Sequence, residues 1–363
     1  KYGQVKSIRR CISCLTGCWQ ESMTAKKEIA CAINPACGNQ AFEIRNKVMK
    51  SLRIAVVGGG PAGMEAARHA AERGHYVTLY EKSRELGGAI LGCCLVPGKE
   101  KMKWYADWIR YQMSQIDVDI RMNSIPTIAE LSSYDVVINA TGARSYVPEV
   151  AGLAEKVIPF EKILVCSKIS CEFHPKDLRK PEKLEGTKVI VWGDHYPAAD
   201  TAAYLASIGK EVTIITPYKE FGSTIEVVHM YVLRKRFQQQ DAEALHSKPF
   251  RYPVNVYSNS ILIEIGENSV TILRDGKYIS LPYESIVTCF TKPNNEFFRE
   301  LLQSDILAVN VGDAVKPRNL HAAVKEGAWA GLTVEDKKFY NPNYTFINDL
   351  PVDVVRQITN PEE

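Results

Sequence analysis

No apolar run in the 363-residue chain reaches the 18 or so residues that a membrane helix needs, so no span is predicted. Charge of one sign is scarce as well. The 45 basic and 42 acidic residues leave a net +3, which makes no electrostatic case for nucleic acid. The segment Lys1–Arg10 is polar and basic, and the apolar core of a secretory signal does not follow it. A cytoplasmic protein is therefore expected. Also missing is the spread of cysteines that marks a small disulfide scaffold. The composition is otherwise ordinary, 45% hydrophobic and 24% charged, which excludes a disordered or fibrous chain. At roughly 100–200 residues per domain, about two domains are expected.

Cysteine is plentiful but clustered. Of the ten, Cys11, Cys14, Cys18, Cys31 and Cys37 fall near the start, while Cys93, Cys94, Cys166, Cys171 and Cys289 are scattered. The spacing Cys11-x2-Cys14-x3-Cys18-x12-Cys31 puts three thiolates on one loop and brings a fourth from a later turn. Four thiolates suit either zinc or a cubane iron–sulfur cluster. Zinc sites favour paired C-x2-C knuckles, and one pair with two singles points to iron–sulfur. Cys37 reads as a spare thiol.

Two stretches share one plan. Residues 53–81 run strand (Arg53–Val57), glycine turn (Gly58, Gly60, Gly63), helix (Pro61–Arg73) and strand (Val77–Tyr80), closing on Glu81. This is the context that a dinucleotide fingerprint requires. Gly58 makes the turn, Gly60 admits a pyrophosphate, and Gly63 lets helix and strand pack closely. The helix N-terminus offers free N–H groups, and Glu81 can accept from ribose hydroxyls. Residues 188–216 repeat the plan, with a strand at Lys188–Trp192, a helix at Ala198–Ile208 and a strand at Val212–Ile215. Their three glycine positions read Gly193, His195 and Ala198, and Thr216 replaces the acid. A side chain at the second position blocks backbone approach to a pyrophosphate. The fold is expected to persist here with a weakened or lost nucleotide site, and His195 to fill the phosphate pocket.

Further pieces extend the first site. Tyr134–Gly142 is an apolar strand ending in the small turn Ala140-Thr141-Gly142. Asn310–Gly331 ends a strand at Gly312-Asp313, where the aspartate can hold nucleotide hydroxyls, and then opens a helix. Residues 252–290 are rich in β-formers around Arg274-Asp275-Gly276-Lys277, a predicted hairpin turn. The predicted division is a cysteine segment over 1–50 and a nucleotide domain over 51–184 and 291–340. A second domain at 185–290 is inserted in the first, with a linker at Lys176–Gly186 and a tail at 341–363.

Together these motifs resemble the C-terminal part of the trimethylamine dehydrogenase and 2,4-dienoyl-CoA reductase family, a branch of the old yellow enzyme-like iron–sulfur flavoproteins. The resemblance covers roughly residues 8–335. It rests on RRCISCLTGC…CAINPACG, AVVGGGPAGMEAARHAAERGHYVTLYEKSRELGG, INATGAR and NVGDAVKPRNLHAAVKEG. It implies an α/β fold: a [4Fe-4S] segment, then two Rossmann-like, glutathione reductase-like domains. It implies cluster ligation by Cys11, Cys14, Cys18 and Cys31. It implies FAD, or ADP alone, at Gly58, Gly60, Pro61, Ala62, Gly63, Glu81, Lys82, Gly88, Ala140, Thr141, Gly142, Gly312 and Asp313. Family members usually begin with a (β/α)8 barrel carrying FMN and the substrate. Such a barrel needs about 250 residues, and ten precede Cys11. An FMN-containing barrel subunit or domain outside this chain, in an oligomer, is thus the expected partner.

The worn second turn resembles the amine-dehydrogenase branch, which passes electrons to an electron-transferring flavoprotein. The resemblance thus implies an electron-relay subunit. An NAD(P)H-dependent enoate or dienoyl-CoA reductase portion is the alternative, and a structural ADP-binding module the non-catalytic one. No catalytic triad or acid–base pair is read from the sequence. His69 and His75 read as surface residues, and Lys99–Lys103 and Arg234–Arg236 as solvated faces. Cys93-Cys94 reads as two packed thiols, and Trp104, Tyr105 and Trp108 as core or interface.

Overall fold

The computed structural model describes residues 3–24, 28–38, 47–164, 184–240 and 249–335. Cys166, Cys171, most of the expected linker and the expected tail lie outside the described residues.

The run Arg53–Val57 is apolar after its first residue and is buried on both faces, as the middle of a parallel sheet requires. It lies at the centre of five parallel strands. Their order is Ala308–Asn310, Val136–Asn139, Arg53–Val57, Tyr76–Glu81 and Val118–Met122. Helix Pro61–Arg73 crosses from the central strand to its neighbour. Proline stands at its first turn, and Gly74 at φ 96° ends it, the usual asymmetry of helix ends. Helix Leu320–Thr333 packs closely along it, with glycines at the points of nearest approach. A Cβ at Gly327 would meet the Ala62 backbone, and one at Gly331 the Ala66 carbonyl.

The second plan also folds. Five parallel strands run Asn255–Tyr257, Glu211–Ile215, Lys188–Trp192, Ser285–Thr288 and Val157–Pro159. The last lies N-terminal to 185, so this sheet draws a strand from the stretch assigned by sequence to the first domain. Its helix, His195–Ser207, starts three residues before the expected point. A third sheet carries the predicted hairpin, with Ser269–Arg274 pairing antiparallel to Lys277–Pro282. Asp275 and Gly276 form its turn at φ 49° and 73°, the two positive values of a type I′ turn. Two short antiparallel strands, Ala143–Ser145 and Thr291–Pro293, run between the major sheets. Among the described residues no helix is long and apolar enough to cross a membrane.

Three surface expectations are corrected. His69 is 1% exposed and His75 5%. His69 lies on the helix face that packs against Gly331, and Glu65 and Arg68 share its burial. Burial would raise the Glu65 carboxyl, but Arg68, Arg9 and His69 outweigh it and hold it below the ordinary range. Lys99, read as solvated, is 8% exposed because a buried carboxylate from the second domain meets it. Tyr105 and Trp108 are core, as expected.

Candidate functional site

Each glycine of the first turn has a different physical reason. Gly58 stands at φ 113°, and a Cβ there would strike the Ala140 carbonyl. A Cβ at Gly63 would strike the Gly58 carbonyl. Both are needed to fold the turn. Gly60 is not, since its backbone is extended at φ −76° and a Cβ would meet nothing within 4 Å. Its open space lies where helix Pro61–Arg73 begins, on the side a phosphate needs.

The other predicted residues gather here or near it. Gly312, at φ 64°, would place a Cβ 2.9 Å from the Ala62 Cβ, and its N–H donates to Glu326 Oε2 at 2.8 Å. Ala140 abuts Gly58 and Gly63. The Thr141 N–H donates to Asn139 Oδ1 at 3.3 Å. Gly142, at φ 76°, also faces open space. Gly88 lies beside Gly60, and a Cβ on it would stand 3.0 Å from the Gly60 Cα. Burial pushes the Asp313 carboxyl up, against the Arg318 N–H bond that it accepts. Lys82 is exposed.

Glu81 has a structural task of its own. It is 6% exposed and accepts from the Gly59 and Ser83 N–H groups, each at 2.7 Å. It therefore holds the turn in shape. Beyond it, Arg84, Glu85, Leu86, Arg110 and Met122 line an open surface depression of about 310 Å³.

In the second turn the buried residue is Asp194 rather than His195. Asp194 is 2% exposed, and its Oδ1 accepts from the Gly222 N–H at 2.9 Å. Its Oδ2 is buried with no hydrogen bond, and burial pushes the carboxyl up. His195 stands outside it, at φ 59°, with Nδ1 2.6 Å from the Thr224 hydroxyl. Asp194 is the counterpart of Gly59, where a Cβ would meet Leu86 and Glu81, so its carboxyl lies on the side of the turn that those residues fill in the first copy.

Between the two nucleotide-type domains lies a group that the sequence reading missed. Lys99 Nζ meets Asp200 Oδ1 at 2.6 Å and Oδ2 at 2.9 Å, and both residues are buried. Burial pushes the Asp200 carboxyl up, while Lys99 and the Cys93 thiol oppose it. Burial, then the Asp200 charge, pushes the Cys93 thiol up to about 12, so it is a neutral donor and a poor nucleophile. Asp313 is close enough to act on it in the same direction. One signal could have revealed this group. Asp200 interrupts the otherwise small and apolar run Ala198-Ala199-Asp200-Thr201-Ala202-Ala203, and a buried acid demands a cation.

The cysteine segment folds against this core. Ser13 and Leu15 take left-handed conformations at φ 57° and 58°, and the Ser13 N–H donates to Cys11 Sγ at 3.3 Å. A Cβ at Gly17 would stand 2.7 Å from the Ala30 carbonyl and 2.9 Å from the Cys31 nitrogen, so the first loop lies flush against the fourth cysteine. Cys14 and Cys31 act on each other electrostatically, and Cys37, read as spare, feels Cys31 and Cys18. Arg9 fastens both ends, donating to the Ile33 carbonyl at 3.0 Å and Asn34 Oδ1 at 2.6 Å while lying 3.8 Å over Trp108. Among the described residues no three His, Cys, Asp or Glu side chains converge on a point that could hold one metal ion. A cubane is bound at four separate irons, one thiolate each.

Two parallel sheets of one plan, a glycine turn with open space and a thiol-rich flank are the features of a dinucleotide-binding redox protein. Residues 52–303 match the pyridine nucleotide-disulphide oxidoreductase family, and the chain belongs to it. It is an oxidoreductase of flavoprotein type. It is 31% identical over 342 residues to the NADH oxidase of Thermoanaerobacter brockii, covering 91% of this chain and 48% of that protein. The bilirubin reductase of Mediterraneibacter gnavus is 26% identical, over 90% of this chain and 47% of that protein. A solved 2-naphthoyl-CoA reductase shares the fold with a TM-score of 0.76 at 24% identity, over 90% of this chain and 46% of that one. The chain spans about half the length of these relatives.

Proposed function

We propose that the chain is the nucleotide- and cluster-binding portion of an NAD(P)H-dependent flavin reductase. The open space at Gly60 carries this reading, because neither the backbone angle nor neighbouring atoms require glycine there. FAD would be held with its pyrophosphate at Gly58–Gly63 and its adenosine toward Glu81 and the depression beyond. Asp313 and the Ala140–Gly142 turn would lie toward its other half. Cys11, Cys14, Cys18 and Cys31 would hold a [4Fe-4S] cluster. When bound, the flavin supplies hydride acceptance and the cluster supplies one-electron transfer. The chain's own residues orient and enclose these groups. Lys99 and Asp200 fix the two domains beside them, and Tyr105, Trp108 and Arg9 seat the cysteine segment. An FMN-bearing barrel outside this chain would convert the substrate, which on this reading carries an activated double bond. The relative named NADH oxidase favours the inward flow of electrons from a nicotinamide.

One observation favours the opposite direction. His195 sets a side chain at the second glycine position of the turn, where a nicotinamide dinucleotide would bring its pyrophosphate against the backbone. On that second reading, electrons leave for a protein acceptor such as an electron-transferring flavoprotein. Anaerobic stopped-flow mixing of the flavin-loaded protein with NADH and NADPH decides between them. Rapid, saturable bleaching of the flavin band supports the reductase. A flavin that dithionite bleaches, but millimolar NADH and NADPH leave oxidised, establishes the outward route.

A further inference from the structure

One carboxylate outside the nucleotide site joins three segments. Glu226 precedes helix Val227–Phe237 without capping it and is 6% exposed. Its Oε1 accepts from the Thr16 hydroxyl at 2.7 Å. Its Oε2 accepts from the Tyr196 phenol, on the first turn of the second domain's helix. The adjacent Val227 N–H donates to Gln20 Oε1 at 3.3 Å, a second tie between the same segments. Thr16 lies between Cys14 and Cys18. On the far side, the Tyr196 ring carries Lys99 Nζ at 4.5 Å, and Lys99 leads to Asp200 and Cys93.

A buried carboxylate is costly unless its oxygens are engaged. Here both partners come from elsewhere in the chain rather than from the helix that Glu226 begins. The acid therefore spends its two oxygens on the cysteine loop and the second domain. We propose that Glu226 is a positioning residue for the cysteine centre. It holds the Cys14–Cys18 loop against the second nucleotide-type domain, and its negative charge lowers the reduction potential of the cluster seated there. This rests on the cluster reading above. Partners one step beyond a metal's ligands typically change metal retention by about 10–100-fold, and net charge near the cluster is one of the terms that set its potential.

The test uses the full protein with its cofactors and the variants Glu226→Gln and Glu226→Ala. Iron and acid-labile sulfide are measured first, then the rate of cluster loss to EDTA, then the midpoint potential by redox titration with EPR detection. Glu226→Gln keeps groups that can bond Thr16 and Tyr196 but removes the charge. It should retain iron and sulfide, with a potential shifted upward. Glu226→Ala frees the loop and should lose its cluster to EDTA at least about tenfold faster, with flavin content unchanged. If Glu226→Ala does not fold, the potential of Glu226→Gln decides. Wild-type potential and wild-type loss rate in the variants would overturn the proposal while leaving the cluster reading intact. Wild-type protein lacking acid-labile sulfide, with flavin bound, would overturn the cluster reading and this inference with it.

Discussion

Gly60 and Gly63 sit three residues apart, yet the structure separates their roles. At Gly60 a side chain has room in the protein and none in the complex. The dihedral is ordinary, so Gly60→Val should cost the unliganded fold at most about 1 kcal/mol, the range of a poorer N-cap. Its branched Cβ, however, fills the space where a pyrophosphate meets the helix N-terminus. Losing two charge-assisted hydrogen bonds, each worth roughly 1.5–3 kcal/mol, removes about 3–6 kcal/mol of binding. That weakens affinity by roughly a hundredfold to ten-thousandfold. At Gly63 a Cβ would run into the Gly58 carbonyl, and backbone cannot step aside as a side chain can. Gly63→Ala should therefore destabilise the fold itself by about 1–3 kcal/mol or more. Nucleotide released by heat and the melting temperature of the stripped protein read the two effects separately. Stoichiometric nucleotide retained by Gly60→Val would refute the assignment. So would stripped Gly60→Val melting as early as Gly63→Ala.

Breaking the interdomain ion pair should be costly. Lys99→Met strands Asp200 and should lose about 3–5 kcal/mol in urea titrations, with much of it recovered in the double variant with Asp200→Asn; a single-variant loss under about 1 kcal/mol would mean that the pair is solvated. Burial first, then Lys99 and Arg236, holds the His229 imidazole down at about 3, below its unfolded value of about 6.5. That stability is present above about pH 6.5 and is lost as pH falls toward 3, at up to about 1.4 kcal/mol per unit, less for the partial exposure of the ring. His229→Gln should flatten this dependence between pH 7 and 5, and comparing urea midpoints of variant and wild type cancels the buried carboxyls, whose shifts run the other way. Gly327→Ala should push helix Leu320–Thr333 off helix Pro61–Arg73 and cost about 1–3 kcal/mol, read as a lower melting temperature with adjacent nucleotide contacts weakened.

What could be read from sequence was local. Arg53–Val57, Pro61–Arg73 and the Asp275-Gly276 turn follow from apolar period, proline and glycine placement, and two residues at positive φ. Each is fixed by neighbours within a few positions. The glycine spacing likewise showed which turn could hold a pyrophosphate. What stayed hidden depends on partners far along the chain. Lys99 looks like any surface lysine until Asp200 arrives from the other domain. His69 looks exposed until Gly331 brings a second helix over it. The role of Glu226 needs Thr16 and Tyr196, 210 and 30 residues away. A single chain without its fold carries no signal for such pairs beyond the oddity of one acid in an alanine-rich helix.

The two turns also show how one architecture keeps its shape with different residues. In the first copy Glu81 stands at the end of the second strand and grips the Gly59 N–H, so the acid is held back from the phosphate space and the turn stays open. The loop that follows closes by a backbone bond, Gly87 N–H to the Gly59 carbonyl at 2.8 Å. In the second copy Thr216 takes the strand end, and the acid has moved into the turn as Asp194, where it takes the Gly222 N–H of the corresponding loop. Both copies thus satisfy the loop N–H and fix the loop over the helix start. The first does so with a neutral carbonyl that leaves room for an anion. The second does so with a carboxyl on the side of the turn that Glu81 and Leu86 fill in the first. The copies differ at the second glycine position, which is open at Gly60 and carries a side chain at His195, so on the outward-electron reading it is that side chain that keeps a pyrophosphate from the backbone.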